Sequence, residues 1–442
     1  MESVRVVVTG LGAVSPLGLS VEEMWAGLEA GRCGLGRIAA FDPTRLPCEL
    51  AGEVPEYRMR DYVPKSHRKA TKLMCRDIEL AVIAAREAVA ASELITKGID
   101  PDAINIDPAR MGITMGAGMI SCDMAELAPA VAVSVTDGEF DIRKWGREGL
   151  EHVTPVWLLK YLPNMLPCHV GIIHDIQGPS NTITCAEASA HIAIGEAAQV
   201  IARGDSDISL AGGAEAKINP FMVVRQCLFD RVVRDYDGSP ETACRPFDAE
   251  ARGAVFGEGA GLLVLESLER ARERGATIAA EIAGIGQSNS QGALYDRLEP
   301  DGRGIQIAIA KALEDAGIGP SELDLIIPHG TGVPEDDQAE AKALEAVLGE
   351  AVEDVSIWPT KSMLGTTGAA SGALDVIAAA KAMSEGVVPA AQNFSAPAGG
   401  GHLRISTESQ KKEIRYALCS SYTHGGQTAA VVLKRFEEGT AG

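Results

Sequence analysis

The chain has 442 residues, with 40 Lys and Arg against 61 Asp and Glu, a formal net charge of -21. That length buries a large core without metal or disulfide staples. That charge excludes general nucleic-acid binding and attraction to anionic membranes, since both need a basic face. The nine cysteines include no C-x-x-C pair, which speaks against a zinc ribbon or a thioredoxin-like motif and for free thiols in a reducing cytosol. The start, MESVRVVVTG, has no basic region, long apolar stretch or cleavage site of a signal peptide. No apolar run reaches the about 18 residues of a spanning helix, so the expectation is a cytoplasmic protein without a membrane span.

In chain order, residues 4–9 predict a buried strand that feeds a glycine turn at Gly10-Leu11-Gly12. Ser20 and Glu23 predict a capped helix start. Helical spacing covers 68–91, and residues 111–116 predict a strand. Residues 181–184 lead into a small-residue helix over 188–202, stopped by Gly204. Strands follow at 207–211, closed by Gly212-Gly213, and at 260–266. The second half repeats the rhythm, with strands at 280–284, 323–328, 416–420 and 428–434 and helices at 304–316, 336–348 and 372–384. This alternation predicts an α/β fold with covered sheets. Gly10-x-Gly12 is a partial dinucleotide fingerprint, but Ser15 stands where a third glycine belongs and no acidic residue follows about 20 positions on, so a structural glycine turn is the reading taken.

The informative segments are 181–189 (NTITCAEAS), 328–332 (PHGTG), 360–368 (TKSMLGTTG) and 421–426 (SYTHGG), together with Gly212-Gly213-Ala214-Glu215 and Arg245-Pro246-Phe247-Asp248. Their order and spacing resemble the β-ketoacyl synthase (condensing-enzyme) family of the thiolase superfamily, from Val6 to about Lys434. The resemblance implies a five-layer αβαβα sandwich of two similar halves, 1–266 and 267–442, with no cofactor and no metal. It also implies a dimer. Members of the family use a Cys at a helix N-terminus, where dipole and backbone N–H groups favour the thiolate that takes an acyl chain. Two His and a Lys then support decarboxylative attack by a malonyl unit, with an oxyanion hole of backbone N–H groups.

Carried over position by position, the nucleophile falls on Glu187, the first His on His329, the Lys on Lys361 and a following carboxylate on Asp375. The second His falls on Thr366, and the gating aromatic of the C-terminal loop on His424. Cys185, two residues before Glu187, reaches the helix tip only through a two-residue shift of register. A carboxylate is a poor nucleophile toward a thioester, and its anhydride would hydrolyse. Losing one enolate-stabilising donor costs about 10²–10³ in rate. Glu187 then either plugs a silent site in an ion-pair cluster with His329 and Lys361, or mimics a malonyl carboxylate and promotes decarboxylation. His424 is either a polar gate or a filler bonded to Glu187. The remaining histidines have no metal-ligand spacing, and His169 and His174 suit a core or interface role.

Against the acidic average, Arg58, Arg60, Lys65, His67, Arg68, Lys69, Lys72 and Arg76 form a basic run. A solvated helix face explains it; the resemblance also makes Lys65, Arg68 and Lys69 a docking edge for an acidic acyl carrier protein. A family member without the Cys resembles the chain-length-factor subunit, which pairs with a Cys-bearing ketosynthase and sets tunnel depth through a stretch like residues 119–124. The alternatives are a malonyl-carrier decarboxylase making acetyl starters, an active synthase using Cys185, and a homodimeric acyl-binding scaffold.

Overall fold

In the computed structural model, which describes residues 4–292 and 297–438, the first strand already departs from the sequence reading. β1 runs Val6–Val14 and continues through Gly10 and Gly12, which make no turn, with a shift of register between Val8 and Gly10. The glycines are there for a helix. A methyl group on Gly10 would sit 2.2 Å from the Ala88 carbonyl oxygen, and one on Gly12 2.0 Å from that of Ala84. Both alanines belong to α1 (Arg76–Ala91), which packs directly on the strand. Gly212 and Gly213 likewise lie inside a strand rather than closing it, within β4 (Ile208–Ala216). Residues 68–75, read as helix, form 3₁₀ turns and an extended Cys75; the α-helix begins only at Arg76. The Ser20 cap stands as expected, its hydroxyl accepting from the Glu23 N–H at 3.2 Å. Residues 1–3, part of the start read as leaderless, fall outside the described residues.

The remaining first-half strands of the large sheet are β2 (Met111–Ala117), β3 (Ser180–Ile183) and β5 (Glu258–Ser267). Its second-half strands are β6 (Ala280–Asn289), β7 (Leu325–Ile327), β8 (Ser356–Ile357), β9 (Tyr416–Tyr422) and β10 (Gln427–Lys434). The first half pairs in the order β1-β5-β4-β2-β3 and the second in the order β6-β10-β9-β7-β8. In each, the first, fifth and fourth strands run antiparallel, and the fourth, second and third run parallel. The halves are therefore one topology used twice. The border at 266/267 falls at the end of β5. The two five-stranded sets are not separate sheets. Val6–Val8 pair with 280–282, so one hydrogen-bonded sheet of ten strands crosses the molecule.

Five layers follow from which way the strand residues point. Leu263 and Leu265 face inward, with Val431, Leu433 and Ala417, onto the central helices α3 (Ser189–Ala202) and α6 (Ser371–Glu385). Their neighbours Leu262 and Val264 face outward onto α1 and α2 (Met165–His174). Ile326, Leu418 and Val432 face outward on the other side, onto α4 (Arg303–Ala316) and α5 (Pro334–Leu348). The expected thiolase-like αβαβα architecture is the one observed. His169 and His174 are buried in it, with His174 Nδ1 2.7 Å from the Thr96 hydroxyl. Burial lowers the pKa of His174 to about 4.

Candidate functional site

The tip of α3 is reached through a strained turn. Ala186 takes φ 42°, a left-handed conformation unusual for a residue with a Cβ. A 3₁₀ turn, Ala186–Ala188, then runs into the α-helix. The Ser189 hydroxyl accepts the Cys185 N–H at 2.8 Å and donates to the Ala117 carbonyl at 3.3 Å, which ties the turn to the end of β2. Glu187 is thereby aimed into the protein, 8% exposed.

Its partner is a residue that sequence reasoning missed. Lys217 Nζ donates to Glu187 Oε1 at 2.6 Å. The same ammonium lies 3.9 Å from Glu215 Oε1 and 5.1 Å from the centroid of the Phe256 ring. Burial would raise the Glu187 pKa, but the Lys217 charge and its hydrogen bond overcome it, and the carboxyl is held at about 2. Burial likewise opposes a charged Lys217, and the carboxylates of Glu187 and Glu215 outweigh it, so its pKa is raised. Glu215 is fixed by the Ala369 N–H, which donates to its Oε2 at 2.7 Å. The signal for Lys217 was in the sequence: it stands two places after Glu215, at the end of β4 on the same face, and a buried carboxylate at a helix tip needs a cation.

The second half supplies a different cluster. His329 follows β7, and its N–H and that of Gly330 both donate at 2.8 Å to the two oxygens of Glu340. Asp337, one turn earlier on α5, accepts the N–H groups of Thr331 (2.8 Å), Gly332 and Phe247. The His329 ring meets Tyr422 edge-on, 4.6 Å between centroids. Burial, with Lys361 beside it, keeps the imidazole far below its ordinary pKa and so neutral. Lys361 pairs with Asp375 and donates to the Pro328 carbonyl at 3.3 Å. Thr360 donates to the other Asp375 oxygen at 2.7 Å. Thr366 is buried, with its hydroxyl unpartnered among the described residues.

The expected residues thus split. Glu187 does not cluster with Lys361, whose charge is taken by Asp375; its ion pair is with Lys217. Glu187 and His424 share a cavity of about 320 Å³ with Thr184, Glu215, Lys217 and Arg225, while His329, Lys361, Thr366 and Asp375 do not line it. His424 makes no hydrogen bond to Glu187. Its ring packs on Phe229 at 4.9 Å, and the Arg225 guanidinium lies 5.5 Å from that same ring. Cys185 is half-buried, its thiol pKa is raised by burial, and it is not among the cavity-lining residues. A second cavity of about 430 Å³ is lined by Phe41, Asp77, Met124, Lys160 and Tyr161, among others, so residues 119–124 border both spaces.

Lys65, Arg68 and Lys69 are exposed on the 3₁₀ turns before α1, and none of them makes an ion pair among the described residues. Arg76, at the end of the same basic run, instead turns inward to Glu258 at 2.5 Å. Among the described residues no group of three His, Cys, Asp or Glu could hold a metal ion, and no helix is long and apolar enough to cross a membrane.

A repeated five-stranded topology with two central helices, one carrying Glu187 at its tip and the other carrying Asp375, defines a thiolase-like ketosynthase fold. Residues 3–271 match the model of the β-ketoacyl synthase N-terminal domain and residues 279–395 that of its C-terminal domain, and the chain belongs to the β-ketoacyl synthase family. It is 33% identical to a 3-oxoacyl-(acyl-carrier-protein) synthase 2 of Staphylococcus aureus, over 99% of both chains. Among solved structures it resembles the ishigamide ketosynthase/chain length factor, at TM-score 0.83 and 29% identity, over 99% of this chain and 100% of that one. It also resembles a type II polyketide acyl-carrier protein in complex with its ketosynthase, bound to the hexaketide, at TM-score 0.83 and 27% identity, over 99% and 100%.

Proposed function

We propose that the chain is a ketosynthase-like subunit that does not carry acyl groups itself and serves as the chain-length-factor-type partner of a Cys-bearing ketosynthase, in polyketide or specialised fatty-acid assembly. The observation that carries this reading is the Glu187–Lys217 ion pair at the tip of α3, 2.6 Å long and buried. A carboxylate held ionised there is a poor nucleophile toward a thioester. Thr366 offers a neutral hydroxyl where the family has its second imidazole. Cys185 is a weak replacement, because burial disfavours its thiolate and it does not line the cavity.

A partner surface supports the same reading. β3 is an edge of the ten-stranded sheet, with unpaired backbone groups. Most of the large exposed apolar side chains lie in residues 119–172 and 221–229, including Met119, Phe140, Ile142, Leu158 and Leu228. Residues 119–124 border both cavities and would set how far an acyl chain reaches. The unpaired Lys65, Arg68 and Lys69 suit an acidic acyl carrier protein. Co-expression with a Cys-bearing ketosynthase, followed by native mass spectrometry, tests the proposal. A one-to-one heterodimer is expected, with no acyl adduct on this chain. A persistent homodimer, or an acyl group on Cys185, would overturn it.

A further inference from the structure

Every cation around the floor of the Glu187 cavity except Arg225 already has a carboxylate partner among the described residues. Lys217 is held by Glu187 at 2.6 Å and flanked by Glu215 at 3.9 Å. Arg231 is taken by Asp336, and Lys361 by Asp375. His329, His191 and His424 are all pushed toward the neutral form, by burial first. Glu215 is fixed by the Ala369 N–H, and its carboxyl is hemmed by Gly118 and Gly368, where even a methyl group would come within 2.1 Å and 2.0 Å of it. Phe256 covers the Lys217 ammonium. Arg225 is the one lining cation without a carboxylate partner among the described residues, and it is engaged by Met119 and the Phe229 ring.

We propose that Lys217 determines what this cavity accepts: with Glu187 and Glu215 it forms a closed set of charges on the floor, so that uncharged acyl groups enter and acyl groups ending in a carboxylate are turned away. A carboxylate arriving at that floor would lose its water and face Glu187 directly, and Arg225, engaged by Met119 and Phe229, is the one lining cation left to meet it. This rests on the reading of the cavity as an acyl-binding space, and it speaks against malonyl decarboxylation in it. The groups facing Glu187 are Lys217 and Glu215 from the β4 end, Arg225 and Arg231 from the segment after it, His329 from the loop after β7, and His424 from the C-terminal loop.

The test compares two thioesters of equal length on the full chain, S-hexanoyl- and S-adipoyl-N-acetylcysteamine, by isothermal titration at about pH 7.5. The hexanoyl compound is expected to bind at least about tenfold more tightly, the size of effect an uncompensated buried carboxylate brings. Glu187 remains ionised across about pH 5.5–8, so any pH dependence of the preference in that range reports Glu215, whose pKa burial raises. In E187Q the Lys217 ammonium loses its close partner, and the preference should vanish or reverse. In K217M the burial that raises the Glu187 pKa acts unopposed by the ammonium, and the preference should fade as the pH falls. Equal binding of the two thioesters by the unaltered chain would overturn the proposal while leaving the acyl-cavity reading intact. So would an unchanged preference in both variants. Binding of neither thioester would overturn the acyl-cavity reading and this inference with it.

Discussion

The two central helices begin alike and end up in different chemistry. α3 and α6 occupy equivalent places in the repeated topology, and each is preceded by a three-residue 3₁₀ turn, Ala186–Ala188 and Gly368–Ala370. Before α6 the turn is Gly-Ala-Ala, and it packs against β4 so closely that a methyl group on Gly213 would lie 2.2 Å from the Ala369 carbonyl oxygen. Before α3 the turn is Ala-Glu-Ala, and it faces a cavity. One tip is filled by backbone, the other by an ion pair. A duplicated fold thus supplies two equivalent positions, and the side chain at the tip decides which becomes a site. The ion pairs differ in the same sense. Lys361–Asp375 is bolted down by Thr360 and the Pro328 carbonyl, whereas Lys217–Glu187 borders open space.

The largest effect should come from breaking the bolted pair. K361M leaves Asp375 buried without a cation and is expected to cost about 3–5 kcal/mol in urea unfolding. K217M should cost clearly less, because the Glu187 carboxylate can recruit water from the cavity. Equal losses would remove the distinction between the two tips.

The duplication has a matching test in the outer layers. β6 repeats the glycine pair of β1: a methyl group on Gly284 would sit 2.2 Å from the Ala312 carbonyl oxygen, and one on Gly286 1.8 Å from that of Ala308. G12A and G286A should each cost about 1–3 kcal/mol by overpacking, and by similar amounts. A loss confined to one half would show that helix and sheet approach differently in the two.

The pH dependence should also differ between Glu187 and Glu340. The Glu187 pKa in the folded state, about 2, lies below the ordinary 4.5. Its contribution is therefore present above about pH 4.5 and is lost as the pH falls through the folded value. Glu340, buried, is raised to about 8. Between about pH 4.5 and 8 the folded state keeps a proton that the unfolded chain has released, so stability falls as the pH rises through that window. Urea midpoints measured from pH 5 to 8 should fall less steeply in E340Q, with Asp77, Glu87 and Asp337, each raised to about 7, still contributing, and keep their slope in E187Q.

The smallest change in stability is expected at the basic ledge. The double change R68E and K69E should leave the unfolding free energy within about 0.5 kcal/mol, while weakening the salt-dependent binding of an acidic acyl carrier protein about tenfold. Unchanged binding would place the carrier protein elsewhere.

Much of this molecule could be read from local pattern. The β-branched runs became strands, the Ala-rich segments became the buried central helices, and the motif order pointed to the thiolase-like fold and to His329, Lys361 and Asp375. Such features depend on neighbours along the chain, or on a whole set of motifs appearing in order. The glycines were misread because Gly-x-Gly reports only that a Cβ is forbidden. Whether a turn or a helix forbids it depends on Ala84 and Ala88, more than 70 residues away. Glu187 was found while Lys217 was not, because an ion pair joins residues that only folding makes neighbours. The sequence by itself determined the family, the layers and the side chain at the tip of α3. Tertiary structure alone decided which cation Glu187 would have, and so left Lys361 to Asp375, because in a dry interior each charge must be matched across the few ångströms that packing allows.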